Sequence, residues 1–197
     1  TSINQLIIGS LLLIGIWANL NNIYSFIPNN EAYLTGINVV LFIGLGKLSD
    51  MAFGTNGEII VMSKYFRFNV IAVAILAILT VMLNLWLIPL YGIEGAAIAS
   101  FLSMLTFNLI KYIFVWMKFG IQPFNLATVK MLVVVAIVLI ANHFLPTFEN
   151  HLTDLIIRSA MIASVLIGLT LILKISVEVN GLVENALDKL KTGKPTR

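Results

Sequence analysis

The chain has 197 residues, of which 59% are hydrophobic and 11% charged, with a formal net charge of +3. A water-soluble domain carries about a quarter charged residues, so this composition excludes an ordinary soluble globule and points to a surface that faces lipid. There is no cysteine, which excludes disulfide and thiol chemistry; no basic run is interleaved with stacking aromatics, which sets nucleic acid aside as a partner.

The apolar pattern starts at once after Thr1, with no charged stretch of the signal-peptide kind before it, and the expectation is the C-terminal part of a longer protein. Six apolar segments follow, at 3–27, 33–53, 69–88, 92–117, 129–145 and 155–177. Each is near the roughly 20 residues that a helix needs to cross a hydrocarbon core about 30 Å thick. The predicted fold is therefore all-α: a polytopic membrane protein, with a six-helix transmembrane bundle over 1–177.

Proline removes a backbone donor and clashes with the preceding turn, so it belongs outside helix interiors. Pro28, Pro89, Pro123 and Pro146 all fall between the segments, and Pro89 is expected to end the third. Lys64 and Arg67 lie in the second connection, Lys118 and Lys130 flank the fourth, and Lys174, Lys189, Lys191, Lys194 and Arg197 mark the C-terminal end. The first and third connections hold no Lys or Arg, and the fifth has only Arg158 at its edge. Basic residues stay on the cytoplasmic side of a membrane. The alternation predicts cytoplasmic N- and C-termini. Beyond Val177, the apolar positions Val179, Leu182, Val183, Ala186, Leu187 and Leu190 recur at helical spacing among charged residues, which predicts an amphipathic helix over 178–197 on the inner membrane surface.

Polar residues within the segments are the candidate functional groups. Lys47 and Asp50 share one face of the second segment at i, i+3. Charges in a span cost about 2.5–3.5 kcal/mol each on insertion scales, so they turn to a cavity or to one another. Two readings stand: a cavity pair, or a mutual ion pair that reaches for the inner interface. Asn19 lies near the outer end of the first segment beside Asn21 and Asn22, and Asn38, Asn84 and Asn108 are single amides in other segments. Each is able to bond a sugar hydroxyl or a neighbouring helix. Lys111 reads as an anchor reaching to the headgroups, and His143 and His151 as polar boundary residues. No glycine-rich phosphate loop, positioned nucleophile or metal-binding cluster is present, so the sequence calls for no catalytic residue, metal or cofactor.

Between the third and fourth segments the chain reads Asn84-Leu-Trp-Leu-Ile-Pro-Leu-Tyr-Gly-Ile-Glu-Gly-Ala-Ala-Ile-Ala-Ser100. This resembles the N-x-x-L-I-P-x-Y-G-I-x-G-A-A pattern of bacterial polysaccharide and O-antigen flippases, members of the superfamily that includes multidrug and toxin extrusion transporters. The stretch from Gly57 to Asn69 is similar to that family's short cytoplasmic connection. Within the motif, Pro89, Tyr91 and Gly92 are expected to make a tight outer turn, and Gly95, Ala96, Ala99, Ser100 and Ser103 to give the fourth helix a small-residue face for close packing. The resemblance implies two six-helix lobes around an alternating-access cavity in the bacterial inner membrane. This chain would be the C-terminal lobe, paired with a missing N-terminal lobe or with a second copy of itself. It also implies an undecaprenyl-diphosphate-linked oligosaccharide as substrate, with Lys47 attracting the pyrophosphate and Asp50 holding Lys47 or coupling an ion. An antiporter for small molecules and a membrane scaffold or enzyme of polysaccharide assembly are the alternatives. A polymerase or ligase would call for a long outer loop, and every outer connection here is short.

Overall fold

The computed structural model describes residues 2–28, 33, 35–122, 124–181 and 183. Every regular element among them is helical. They are α1 (Ser2–Ala18), α2 (Leu20–Ser25), α3 (Ile37–Phe53), α4 (Asn56–Val61), α5 (Phe66–Phe119), α6 (Leu126–Phe144) and α7 (His151–Ile172). Three of these, α5, α6 and α7, are long and apolar enough to cross a membrane. Large apolar side chains cover their outer surfaces: Leu85 is 74% exposed, Ile93 67% and Leu126 71%. Contiguous apolar surface of this kind fits lipid contact, because a helix satisfies its own backbone bonds there.

The first expected span is divided. Asn19 is buried, and its side-chain amide donates to the Gly15 carbonyl at 2.7 Å. Its own backbone N–H reaches the Ile16 carbonyl, one residue short of the α-helical partner. This local competition for the carbonyls separates α1 from α2. The second span starts late, at Ile37, after a turn at Thr35 and Gly36. At its far end Gly54, with φ +61°, ends α3, and the connection read as a plain loop contains the short helix α4. Pro123 and most of the expected surface helix over 178–197 lie outside the described residues; helical turns are present at 177–181.

A straight helix of 54 residues, the length of α5, would run about 80 Å, far beyond any bilayer. Instead α5 folds back at Gly92, whose φ of 57° and ψ of −132° are non-helical. Two contacts establish the reversal. A Cβ on Gly95 would lie 2.1 Å from the Leu87 carbonyl oxygen, and at the far ends Phe68 stacks on Phe114 with ring centroids 3.7 Å apart. The arms 66–91 and 93–119 therefore run antiparallel. Pro89 does not end the first arm, contrary to expectation. It sits in the last turn, and the glycine two residues after Leu90 makes the reversal, since side-chain-bearing residues avoid that backbone region.

The elements form a row. The α5 hairpin packs on α3, α3 on α1, and α1 on the pair α6–α7, with α2 against α7. Leu6, Ile7 and Ile14 of α1 meet Met131, Val134 and Val138 of α6 and Ile162 and Leu166 of α7 in the main buried cluster. On the other side Gly46 of α3 lets the backbone at Phe101 come close, so that its absent Cβ would be 3.6 Å from the Phe101 Cα. The facing stripe is Gly95, Ala99 and Ser103, all buried, with Ala97 beside it; Ser100 points outward and Ala96 is half-buried, which narrows the expected small-residue face. Asn125 caps α6 by accepting from the Thr128 backbone at 3.1 Å, and Asn150 caps α7.

Contacts at the helix ends gather the basic residues. Tyr65 meets Phe119, with Lys64 and Lys118 over its ring, so both feet of the hairpin lie together. Phe124 joins them to the end of α3 through Phe53 at 5.1 Å. Lys130 donates to the Leu173 carbonyl at 3.1 Å, and Ser176 donates to Asn4 at 2.6 Å. One end of the row thus carries Lys64, Lys118, Lys130 and Lys174, and the other carries Gly92 with the α2, α6–α7 and Asn38 contacts.

Candidate functional site

Two polar regions stand out, and they lie on different parts of the row. The first is the α1–α3 face. Lys47 is exposed and lines a groove of about 340 Å³ whose other walls include Gly9, Leu12, Ile16, Ile43 and Gly44. Gly9 and Gly44 let α1 and α3 pack closely here, since the places of their missing side chains are taken by Met51 and Leu13. Asp50 is also exposed but turns into a neighbouring cavity of about 380 Å³, shared with Gln5, Thr55 and Glu58. Both residues stay on the same side of α3, as i, i+3 spacing requires, yet they make no ion pair among the described residues. Of the two readings, the mutual ion pair is the one not seen among the described residues: Lys47 and Asp50 line different grooves.

The expected amides are dispersed. Asn19 bonds Ser159 of α7 at 3.1 Å, and Asn108, fully buried, reaches Ser49 of α3 at 3.4 Å. Asn38 donates to Glu94 at 3.0 Å, joining α3 to the hairpin tip. Asn84 turns back onto the Thr80 carbonyl of its own helix at 2.8 Å. The first three bonds hold helices to one another, the fourth stays within its helix, and the four do not converge on one site. Lys111 is not the headgroup anchor that its position predicted. It is 8% exposed, lies 4.1 Å from the centre of the Phe107 ring, and comes within 3.4 Å of where a Cβ on Gly57 of α4 would stand. The unforeseen α4 covers the route by which the side chain would have reached water.

The second region is at the Gly92 end, between α1, α2, α6 and α7. Asp154 and Arg158, one turn apart on α7, are 3% and 6% exposed and form a two-pronged pair. The guanidinium donates from Nε to Oδ2 and from Nη2 to Oδ1, both at 3.1 Å. Its Nη1 donates to the Asn142 side chain at 2.9 Å and to the Asn142 carbonyl at 3.3 Å. Asp154 accepts in addition from the Asn22 amide and from the Phe148 backbone N–H. The Asn22 oxygen faces His151 Nδ1 at 3.3 Å. A buried ion pair persists only when its remaining hydrogen-bonding capacity is met in this way.

Beside that network opens a cavity of about 460 Å³, reaching Trp17, Asn21, His143, Thr147 and His151. Sequence reading singled out neither Asp154 nor Asn142, and placed Arg158 at an edge. Their signal was an acid and a base at i, i+4 on an otherwise apolar helix, the spacing that lets two side chains meet. The amides from α2 and α6 that complete the network come from positions more than a hundred residues apart, and Asn142 is sixteen before Arg158, so spacing alone could not join them.

Comparison with protein-family models, with curated proteins and with solved structures finds no match to this chain.

Proposed function

We propose that the chain is one lobe of a membrane transporter, and that its cargo is a lipid-linked oligosaccharide flipped from the inner to the outer leaflet of a bacterial inner membrane. The observation that carries the transport reading is the α1–α3 face, where Lys47 is exposed, without an ion pair among the described residues, in a groove otherwise built from Leu, Ile, Val, Met and Gly, with the exposed Asp50 one turn away beside Gln5, Thr55 and Glu58. A lysine ammonium facing hydrocarbon at mid-span would cost about 2.5–3.5 kcal/mol. A water-filled path against a second lobe, or against a second copy of the chain, removes most of that cost. Rocking of two lobes around such a path is the alternating-access scheme.

Six crossings fit the row: α1 with α2, then α3, the two arms of α5, α6 and α7. The basic end then faces the cytoplasm, as retention of Lys and Arg on that side favours, and both chain ends lie there. The cargo rests on the likeness of the Asn84–Ser100 stretch to the flippase motif. The apolar walls around Lys47 favour one rival, a small-molecule antiporter on the same scaffold.

Two measurements separate these. Cells that lack the gene should accumulate undecaprenyl-diphosphate-linked intermediates on the inner leaflet; an antiporter would leave those pools unchanged. Lys47→Ala, brought to equal membrane abundance, should lower flipping by about tenfold or more, the loss expected for roughly 1.4 kcal/mol of cargo interaction. Full activity in that variant would remove Lys47 from the path.

A further inference from the structure

We infer that the cavity at the Gly92 end, between α1, α2, α6 and α7, is a binding site for an uncharged sugar residue. Its volume of about 460 Å³ is within the range of small-ligand sites. What selects the ligand is which groups are still able to bond. Arg158 spends Nε, Nη1 and Nη2 on Asp154 and Asn142, and both Asp154 oxygens accept two bonds each. The two full charges at the cavity wall therefore neutralise one another and have little capacity left for an ionic ligand.

The remaining polar groups are an indole, an amide, a hydroxyl and two imidazoles. Trp17 Nε1 is a buried donor with no partner among the described residues, and Trp17 lines the cavity. A buried N–H left unpaired costs free energy, so an acceptor that reached it through the cavity wall would be favoured. Asn21 and Thr147, whose amide and hydroxyl are each both donor and acceptor, line the same space, as do His143 and His151. Mixed donors and acceptors beside an indole and imidazoles suit a molecule that presents hydroxyls at its edges and C–H groups on its faces. A pyranose ring has that form. Neither the Arg158 guanidinium nor the Asp154 carboxylate is left unpaired for an ionic ligand.

The inference rests on the flippase reading only for the origin of the sugar. Its test uses the 197-residue chain in detergent with Trp86→Phe and Trp116→Phe, which leave Trp17 as its reporting indole. Methyl glucoside, N-acetylglucosamine and rhamnose are titrated while Trp17 fluorescence is followed, with glucuronate as the charged comparison. At least one neutral sugar should give a saturable change. Asn21→Ala and Thr147→Val, which leave the Asp154–Arg158 network intact, should together weaken it by about tenfold, as the loss of two ordinary hydrogen bonds implies. Size-exclusion profiles establish that the variants remain folded. No saturable response to any neutral sugar overturns the inference. So does a response unchanged by the two substitutions, or tighter binding of glucuronate than of the neutral sugars. Sugar binding retained in a protein whose deletion leaves lipid-linked intermediates unchanged would remove the flippase reading and leave this site standing.

Discussion

Gly95 lies directly on the carbonyl oxygen of Leu87, eight residues earlier in the chain, with room for no side-chain carbon between them: a Cβ would come within 2.1 Å. That contact is possible only because the chain has reversed at Gly92, and it fixes how closely the two arms of α5 begin their descent. Real Cβ atoms do not tolerate such a distance from backbone, so a substitution must push the arms apart at their tip.

Gly95→Ala should therefore lower the apparent stability in detergent by about 1–3 kcal/mol, the usual cost of overpacking, and a larger side chain by more. Gly92→Ala tests the other half of the turn. Space around Gly92 is open, but its φ of +57° is strained for any other residue, by about 1–3 kcal/mol. Thermal unfolding followed by fluorescence measures both. A Gly95→Ala protein as stable as the parent would show that the tip is less closely packed than described.

Single substitutions in the buried pair should be severe. Arg158→Ala leaves Asp154 charged, 3% exposed and short of its principal donor. Removing one partner of a buried pair costs about 3–5 kcal/mol, because the other charge is left uncompensated. The double change Asp154→Leu with Arg158→Met removes both charges and should recover much of that loss. Midpoints of thermal unfolding for the two singles and the double give the comparison; a double variant no better than the worse single would mean that the amides of Asn22 and Asn142, stranded in turn, set the cost.

Lys111 invites the opposite result. It is 8% exposed, touches the Phe107 face and has no ion pair among the described residues, although the Asp50 carboxylate is near enough to act on it. Lys111→Met keeps most of the volume and removes a costly buried charge. Equal or higher thermal stability is expected. A marked loss would show that the ring contact and Asp50 together stabilise the ammonium more than burial disfavours it.

Membrane orientation is open to a clean assay because the chain has no cysteine. Lys64→Cys, Lys118→Cys and Tyr91→Cys each introduce one thiol. Lys64 and Lys118 share the Tyr65 ring, whereas Tyr91 is at the hairpin tip, 58% exposed. A membrane-impermeant maleimide should label the Tyr91 variant in intact cells and the other two only after permeabilisation. Labelling of all three from outside would defeat the proposed crossing of the α5 arms.

The segment pattern was legible because it depends on local chemistry. Apolar runs of helical length, prolines and Lys or Arg at their borders are properties of adjacent residues, and the arms of α5, α6 and α7 follow them within a few residues. The motif around Gly92 also read correctly as a tight turn, though the glycine rather than Pro89 makes it. Asn19 was read as able to bond a sugar hydroxyl or a neighbouring helix; it bonds Ser159 of α7 and also interrupts its own helix, since nothing in the surrounding apolar run indicates which carbonyl a buried amide will choose. The same limit explains α4: six residues of modest helical preference become a helix because they pack on α5, and that contact then buries Lys111.

By itself the sequence determined that this chain is helical and apolar, where it turns, and which ends carry positive charge, because backbone bonding within each helix and the cost of charge in hydrocarbon act along the chain. Only the tertiary structure decided which polar residues meet. Asn22, Asn142, Asp154 and Arg158 come from three helices, and their network exists because α2, α6 and α7 converge at one end, while Lys47 and Asp50, neighbours in sequence, are sent to separate cavities by the helices beside them. Side-chain partnership in a bundle is set by which faces pack together, and that is a property of all the helices at once.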